Sequence, residues 1–240
     1  MCYAPKGQLS RCEFGFPRSL LKCGYLLTIE FWLLVAAHRI LLTSTLEQRN
    51  SPICNWLFSG KAVCIPEPFV GPDLPDDPRP PGQPPRTVGI IAQYSWRKGL
   101  RELVSAFLDW NDSNRGAQLR IAGTPIAGAE REFQDLRATV SRHPAGHTVT
   151  FLGQVSSAQR KEFYEGIDIL AVPSFYESFS LAVLEALWHG RPVLAAPRIG
   201  VLEFLPSNVG ITVLSEVSAP ALKDGLEAVW STYDACAKEA

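Results

Sequence analysis

Val172-Pro-Ser-Phe-Tyr-Glu177-Ser-Phe-Ser-Leu-Ala-Val-Leu-Glu185-Ala-Leu-Trp-His-Gly190-Arg-Pro-Val-Leu194 runs an apolar stretch into a polar turn and then into a periodic one. Residues 167–172 read as a short buried strand, Pro173 and Ser174 end it, and Leu181, Leu184 and Leu187 repeat at helical spacing through residues 180–189. A strand that feeds directly into a helix presents that helix's first N–H groups at the carboxyl edge of a sheet. Those donors and the positive end of the helix dipole favour phosphate. Glu177 stands just before the helix and Glu185 about two turns into it. They therefore read as two separate hydroxyl acceptors flanking a phosphate cradle formed by the backbone of Phe179, Ser180 and Leu181, and not as one tight carboxylate pair. Ser174, Ser178 and Ser180 have no histidine motif that would make them nucleophiles and read as helix-capping residues.

Working outward, strands and helices alternate. Residues 87–93, 118–122, 148–152, 167–172, 192–196 and 210–214 read as strands, and residues 100–110, 129–142, 156–166, 180–189 and 219–233 as helices. Strict alternation with short connections predicts a parallel sheet covered on both faces, a doubly wound α/β domain. Ligands of such sheets lie beyond the carboxyl ends of the strands. The turn after the first strand lacks the Gly-x-Gly-x-x-Gly of dinucleotide-binding enzymes, and no Gly-x-x-x-x-Gly-Lys-Ser/Thr loop is present, which argues against dehydrogenases and P-loop nucleotidases.

Nine of the nineteen prolines fall within residues 66–85, a composition that cannot form a helix interior and marks a linker over 66–86. Asp73, Asp76 and Asp77 inside it read as solvated carboxylates. This divides the chain into an amino-terminal segment, 1–65, and the alternating domain, 87–240. In the former, residues 28–38 and 46–58 read as helices, 39–43 as a strand, and Ala62-Val-Cys-Ile-Pro66 as a short apolar strand.

A formal charge of −1 with no Lys/Arg-rich run argues against a general nucleic-acid binder. Five of the six cysteines precede Pro66 without Cys-x-x-Cys spacing, a pattern expected of reduced thiols in a cytoplasmic protein. Residues 1–24 lack the apolar core and cleavage site of a signal peptide. Residues 20–37 are interrupted by Lys22 and Glu30 and read as a buried or interfacial helix, not a membrane span. His38, His143, His147 and His189 have no zinc spacing, so no metal is expected.

The order Glu-(x)7-Glu and Gly-x-Pro-Val resembles the donor-nucleotide half of retaining glycosyltransferases of family 4, which have the GT-B fold. The resemblance extends over Gly89-Ile-Ile-Ala-Gln-Tyr-Ser-Trp-Arg-Lys98-Gly99, Leu119-Arg-Ile-Ala-Gly123, Val149-Thr-Phe-Leu-Gly153 and Ile199-Gly-Val-Leu-Glu203. It implies a Rossmann-like, GT-B C-terminal half preceded by a partial N-terminal α/β segment, the remnant of an acceptor-side domain. Lys98 would bind the donor phosphate, Glu177 the donor sugar hydroxyls and Glu185 the ribose hydroxyls. Gln154 and Val155 would lie at the nucleobase, and Ser178, Phe179, Ser180 and Leu181 would complete the donor site, with Glu177 and Lys98 as the catalytic pair.

The implied partners are a nucleotide-diphosphate sugar and a glycan or lipid-linked acceptor, with no other cofactor. The implied setting is polysaccharide, exopolysaccharide or lipopolysaccharide assembly in the cytoplasm or at the inner face of the cell membrane, where a partner chain or the membrane would complete the acceptor side. The alternatives are a non-catalytic nucleotide-sugar binding module, an inactive truncated fragment and, less favoured by the motif order, a GT-B sugar epimerase. Three departures stand out. Ala92-Gln93 occupies the place of the family's Gly-Arg, with Arg97 nearby as a substitute; Ile199-Gly200 replaces a Gly-Gly turn; and the amino-terminal domain is short.

Overall fold

The computed structural model describes residues 2–4, 29–71, 85–111, 116–207 and 209–239. The linker acids Asp73, Asp76 and Asp77 lie outside them, as do residues 5–28, which include half of the buried or interfacial helix expected over 20–37. Contacts divide the chain into two units.

The first unit contains β1 (Cys2–Tyr3), α1 (Phe31–Ala36), β2 (Arg39–Leu42), α2 (Thr45–Asn50), α3 (Pro52–Trp56) and β3 (Ala62–Cys64). The three strands form a parallel sheet in the order β1-β2-β3. Ile40 and Leu42 of β2 pack with Leu34, Ala37 and Cys54. The single helix expected over 46–58 is two helices, because Pro52 disfavours helical backbone at the residue before it. Ser51 is accordingly extended and its hydroxyl accepts from the Cys54 N–H, capping α3. Ser44 caps α2 in the same way at 3.0 Å, and the Glu47 carboxylate accepts from the Thr43 N–H at 2.7 Å and its hydroxyl at 2.8 Å. Two later segments, Tyr176–Leu181 and Arg198–Leu205, also belong to this unit.

The second unit contains β4 (Thr87–Ile91), α4 (Leu100–Asn111), β5 (Gln118–Ala122), α5 (Glu130–Arg142), β6 (Val149–Gly153), α6 (Ser157–Glu165), β7 (Ile169–Val172), α7 (Leu181–Trp188, which begins at the boundary residue Leu181), β8 (Val193–Ala195), β9 (Ile211–Val213), α8 (Ala219–Ser231) and α9 (Tyr233–Glu239). All six strands are parallel, in the order β6-β5-β4-β7-β8-β9. This is the doubly wound sheet expected from the alternation. Its central strands are apolar on both faces: Val88, Gly89 and Ile90 of β4 and all of β7 are buried, as strands covered by helices on two sides must be.

Helix α4 lays Leu103, Phe107 and Trp110 into the core, where Trp110 meets Trp230 of α8 edge-on at 4.8 Å and its indole N–H donates to Glu227 at 2.8 Å. Gly89 marks a close approach within the sheet layer, since a Cβ there would strike the Ile167 side chain. The strand order reverses between β4 and β7, so the connections leaving these two strands diverge and leave a crevice at their carboxyl ends.

Asp168, wholly buried, fixes the entry of these same strands. Its Oδ2 accepts from the Arg86 and Thr87 N–H groups, both at 2.7 Å, and its own N–H donates to the Thr87 carbonyl at 2.8 Å.

Candidate functional site

Beyond the end of β4 the chain keeps its pairing with the segment after β5: the Ala92 N–H donates to the Ala122 carbonyl at 3.0 Å and the Tyr94 N–H to the Thr124 carbonyl at 2.8 Å. It then makes a single helical turn, Trp96–Lys98, closed by Gly99 at φ +61°. That glycine is required twice over. Its backbone is left-handed, and a Cβ there would run into the Pro173 carbonyl. The Phe175 N–H donates to the Arg97 carbonyl at 2.8 Å, so the lysine turn is pinned to the exit of β7. Lys98, half-buried, thus stands at the carboxyl edge between the two central strands.

A cavity of about 250 Å³ opens along the same edge, lined by Ala92, Gln93, Gly123, Gln154, Arg160 and Glu185 among others. Ala92 and Gln93 stand in this lining where the resemblance places the family's Gly-Arg, whose arginine binds the donor phosphate. A Cβ at Gly123 would collide with the Ala92 carbonyl, so glycine lets the second strand's exit approach the first. Val155 also lines this cavity. Of the predicted donor-binding residues, Gln154, Val155 and Glu185 therefore come together here; Lys98 and Arg97 do not line it, and the cation that does is Arg160.

Sequence reasoning missed Arg160 and Tyr164. Helix α6 begins with a capping box, in which Ser156 and Gln159 satisfy each other's backbone N–H groups, and this sets the rotation of the helix. Arg160 and Tyr164, four apart, then share one face. Arg160 Nη1 lies 2.5 Å from Glu185 Oε1 and the Tyr164 hydroxyl donates to Oε2 at 2.6 Å. Glu185, whose side chain is only 17% exposed, is thus held at both oxygens.

The Tyr164 ring stacks on His189 at 5.3 Å with the planes 13° apart. Burial, with the neighbouring Glu185 charge, pushes the Tyr164 phenol far above its ordinary value, so it stays protonated and donates to Glu185. Burial lowers the His189 pKa, favouring the neutral ring beneath it. Arg191, also buried, donates to the Tyr164 carbonyl at 3.0 Å and locks the end of α6 to the start of β8.

Glu177, Ser178, Phe179, Ser180 and Leu181 belong to the first unit. There the Glu177 N–H donates to the Arg198 carbonyl, the Gly200 N–H to the Glu177 carbonyl and the Val201 N–H to the Phe179 carbonyl, each at 3.0 Å. The Ser178 carbonyl accepts from the hydroxyls of Ser44 at 2.6 Å and Thr43 at 3.1 Å. Gly200 is needed where it stands, because a Cβ would strike that same carbonyl, while Ile199, in the place of the family's first glycine, is buried. Glu203 accepts from the Thr45 and Leu46 N–H groups at 2.8 Å each, so it caps α2.

The capping role expected of Ser180 is not realised. Its φ of +94° lies far from the extended backbone of caps such as Ser156 and Ser218. A non-glycine residue in that region stores about 1–3 kcal/mol. Ser180→Gly is expected to raise the unfolding free energy by about 1 kcal/mol, measured as a higher urea midpoint with unchanged slope; an unchanged or lower midpoint would show that the serine is not strained.

Three comparisons bear on identity. The model of the family described as glycosyl transferases group 1 matches residues 76–238. An uncharacterized glycosyltransferase of Methanocaldococcus jannaschii is 30% identical over 121 residues, 50% of this chain and 29% of that protein. A D-inositol 3-phosphate glycosyltransferase of Corynebacterium diphtheriae is 33% identical over 115 residues, 48% of this chain and 26% of that protein. The match thus spans under a third of these relatives.

Among solved structures, sucrose-phosphate synthase of Thermosynechococcus elongatus superposes with a TM-score of 0.77 at 22% identity, over 99% of this chain and 61% of that one. Anabaena HepE in complex with UDP-glucose gives 0.76 at 18% identity, over 99% of this chain and 65% of that one. Such identities establish the GT-B fold. With the family model covering more than half its length, the chain belongs to the glycosyl transferases group 1 family.

Proposed function

We propose that the chain is the donor-binding part of a retaining glycosyltransferase that moves a sugar from a nucleoside diphosphate to a glycan or lipid-linked acceptor. The observation that carries this reading is the cavity at the carboxyl edge of β4, β5 and β6, where Gln154, Val155 and Glu185 line a space of about 250 Å³. A strand-edge crevice with a deeply set carboxylate suits a ribose, and the pinned Lys98 turn offers a cation for the leaving diphosphate. Solved relatives by fold are described with UDP and UDP-glucose, which supports a nucleotide-sugar donor.

In this reaction the bond between the anomeric carbon and the distal phosphate oxygen breaks, and an acceptor hydroxyl oxygen takes its place. The hydroxyl proton leaves with the nucleoside diphosphate. Stabilising charge on the departing phosphate is the protein's main task, assigned here to Lys98 of the second unit. Glu177 takes the sugar hydroxyls. No resident metal or cofactor is invoked. Among the described residues no helix is long and apolar enough to cross a membrane.

A second reading, nucleotide-sugar binding without turnover, is favoured by Ala92 and Gln93 in the cavity lining, at the place where the family resemblance puts a phosphate-binding arginine. Glu177→Ala separates the two. For a transferase, nucleoside diphosphate release from a nucleotide-sugar and acceptor panel falls about 100-fold or more while nucleotide affinity stays within about twofold. Absence of release in the parent chain, with nucleotide binding intact, would favour the binding module.

A further inference from the structure

The two protein donors on Glu185 are unlike each other. Tyr164 is buried and stacked on His189, so its hydroxyl is fixed in place. Arg160 has a side chain 49% exposed and lines the cavity, yet it reaches Glu185 Oε1 at 2.5 Å. An ionised carboxylate offers about four acceptor positions, two on each oxygen. With Tyr164 on one oxygen and Arg160 on the other, one position per oxygen remains. Two adjacent acceptors on a planar group match two adjacent hydroxyls. A carboxylate held at one oxygen only can turn about its terminal bond and lose that match; held at both, it cannot.

We propose that Arg160 is a positioning and specificity residue of the nucleotide cavity, which fixes the Glu185 carboxylate as a rigid receptor for the vicinal hydroxyls of a ribose and so selects ribonucleotides over deoxyribonucleotides. The inference rests on the nucleotide-donor reading above and adds to it a sugar selectivity set by α6. An exposed ion pair by itself would contribute little to folding, so the value of the contact lies in orientation.

The test uses the whole chain and calorimetric titration. UDP, GDP and ADP identify the preferred base, and that nucleotide and its 2′-deoxy form are then titrated into the parent, Arg160→Leu, Arg160→Lys and Tyr164→Phe. The parent should prefer the ribonucleotide by about tenfold. Arg160→Leu should reduce that preference to about threefold or less by weakening the ribonucleotide alone, with unfolding temperature unchanged. Arg160→Lys should recover part of it through the retained charge, and Tyr164→Phe should lower it in the same direction.

An unchanged ratio in Arg160→Leu would reduce Arg160 to a surface ion pair and overturn the inference while leaving the nucleotide reading intact. Tighter ribonucleotide binding in that variant would mean that Arg160 competes for the carboxylate, and an equal loss of both nucleotides that it holds another part of the ligand; either overturns the inference too. No binding of any nucleotide to the parent would overturn the donor reading itself.

Discussion

Glu185→Ala is expected to weaken nucleoside diphosphate binding by about 100-fold. Two charge-assisted hydrogen bonds to ribose hydroxyls contribute about 1.5 kcal/mol or more each, and a loss of about 3 kcal/mol corresponds to that factor. The substitution also leaves the Tyr164 hydroxyl, now paired at 2.6 Å, without its acceptor in a buried place, so a modest loss of stability accompanies the loss of affinity. Glu185→Gln separates the two effects, because the amide oxygen can still accept from Tyr164 while the charge is gone. The glutamine variant should unfold close to the parent temperature yet bind nucleotide at least tenfold more weakly. Affinity within threefold of the parent in both variants would remove Glu185 from the ligand site.

Asp168→Ala is expected to destabilise the second unit by about 3 kcal/mol. One buried carboxylate oxygen accepts two backbone N–H groups at the entry of β4, and removal strands at least the Thr87 donor inside the protein. Hydrogen bonds to a charged group contribute about 1.5–3 kcal/mol, and a stranded buried donor costs a similar amount. Asp168→Asn keeps an acceptor and should recover about half the loss. Urea unfolding followed by far-UV circular dichroism measures both variants. A change below about 1 kcal/mol for alanine would mean that water or a shifted backbone replaces the carboxylate.

The doubly wound sheet was legible because the strands from β4 onward are short, largely apolar runs ended by turn residues, and helices such as α4 and α7 repeat their apolar residues at helical spacing, while the polar α6 is marked by its Ser156 cap. Period and punctuation were enough. The break between α2 and α3 was also written in the sequence, as Ser51-Pro52, although the apolar spacing on either side suggested one helix. Asp168 had a readable signal of another kind, a carboxylate inside an otherwise apolar strand, where only a partner can make burial tolerable.

The site was legible unevenly. The spacing of Glu177 and Glu185 is a local property of a strand, a turn and a helix, and so could be read from the chain. What meets Glu185 could not, since Arg160 and Tyr164 arrive from α6 through packing between elements more than twenty residues apart in sequence, at separations of 25 and 21. The left-handed backbone at Ser180 was hidden because serine there gives no sign of it, whereas glycine at the same place would have. Glu203 closes the stretch of family resemblance from Ile199, and its carboxylate spends both oxygens on the first N–H groups of α2, a pairing fixed by tertiary packing that the sequence does not show.

The central claim is that the carboxyl edge of β4 to β7 binds a nucleoside diphosphate. Calorimetric titration of the whole chain with UDP, GDP and ADP, beside Lys98→Ala, tests it most directly. The account predicts saturable one-site binding of one of these nucleotides, weakened about tenfold or more when Lys98 is removed. Heat of dilution alone with all three, or binding that Lys98→Ala leaves untouched, would contradict it.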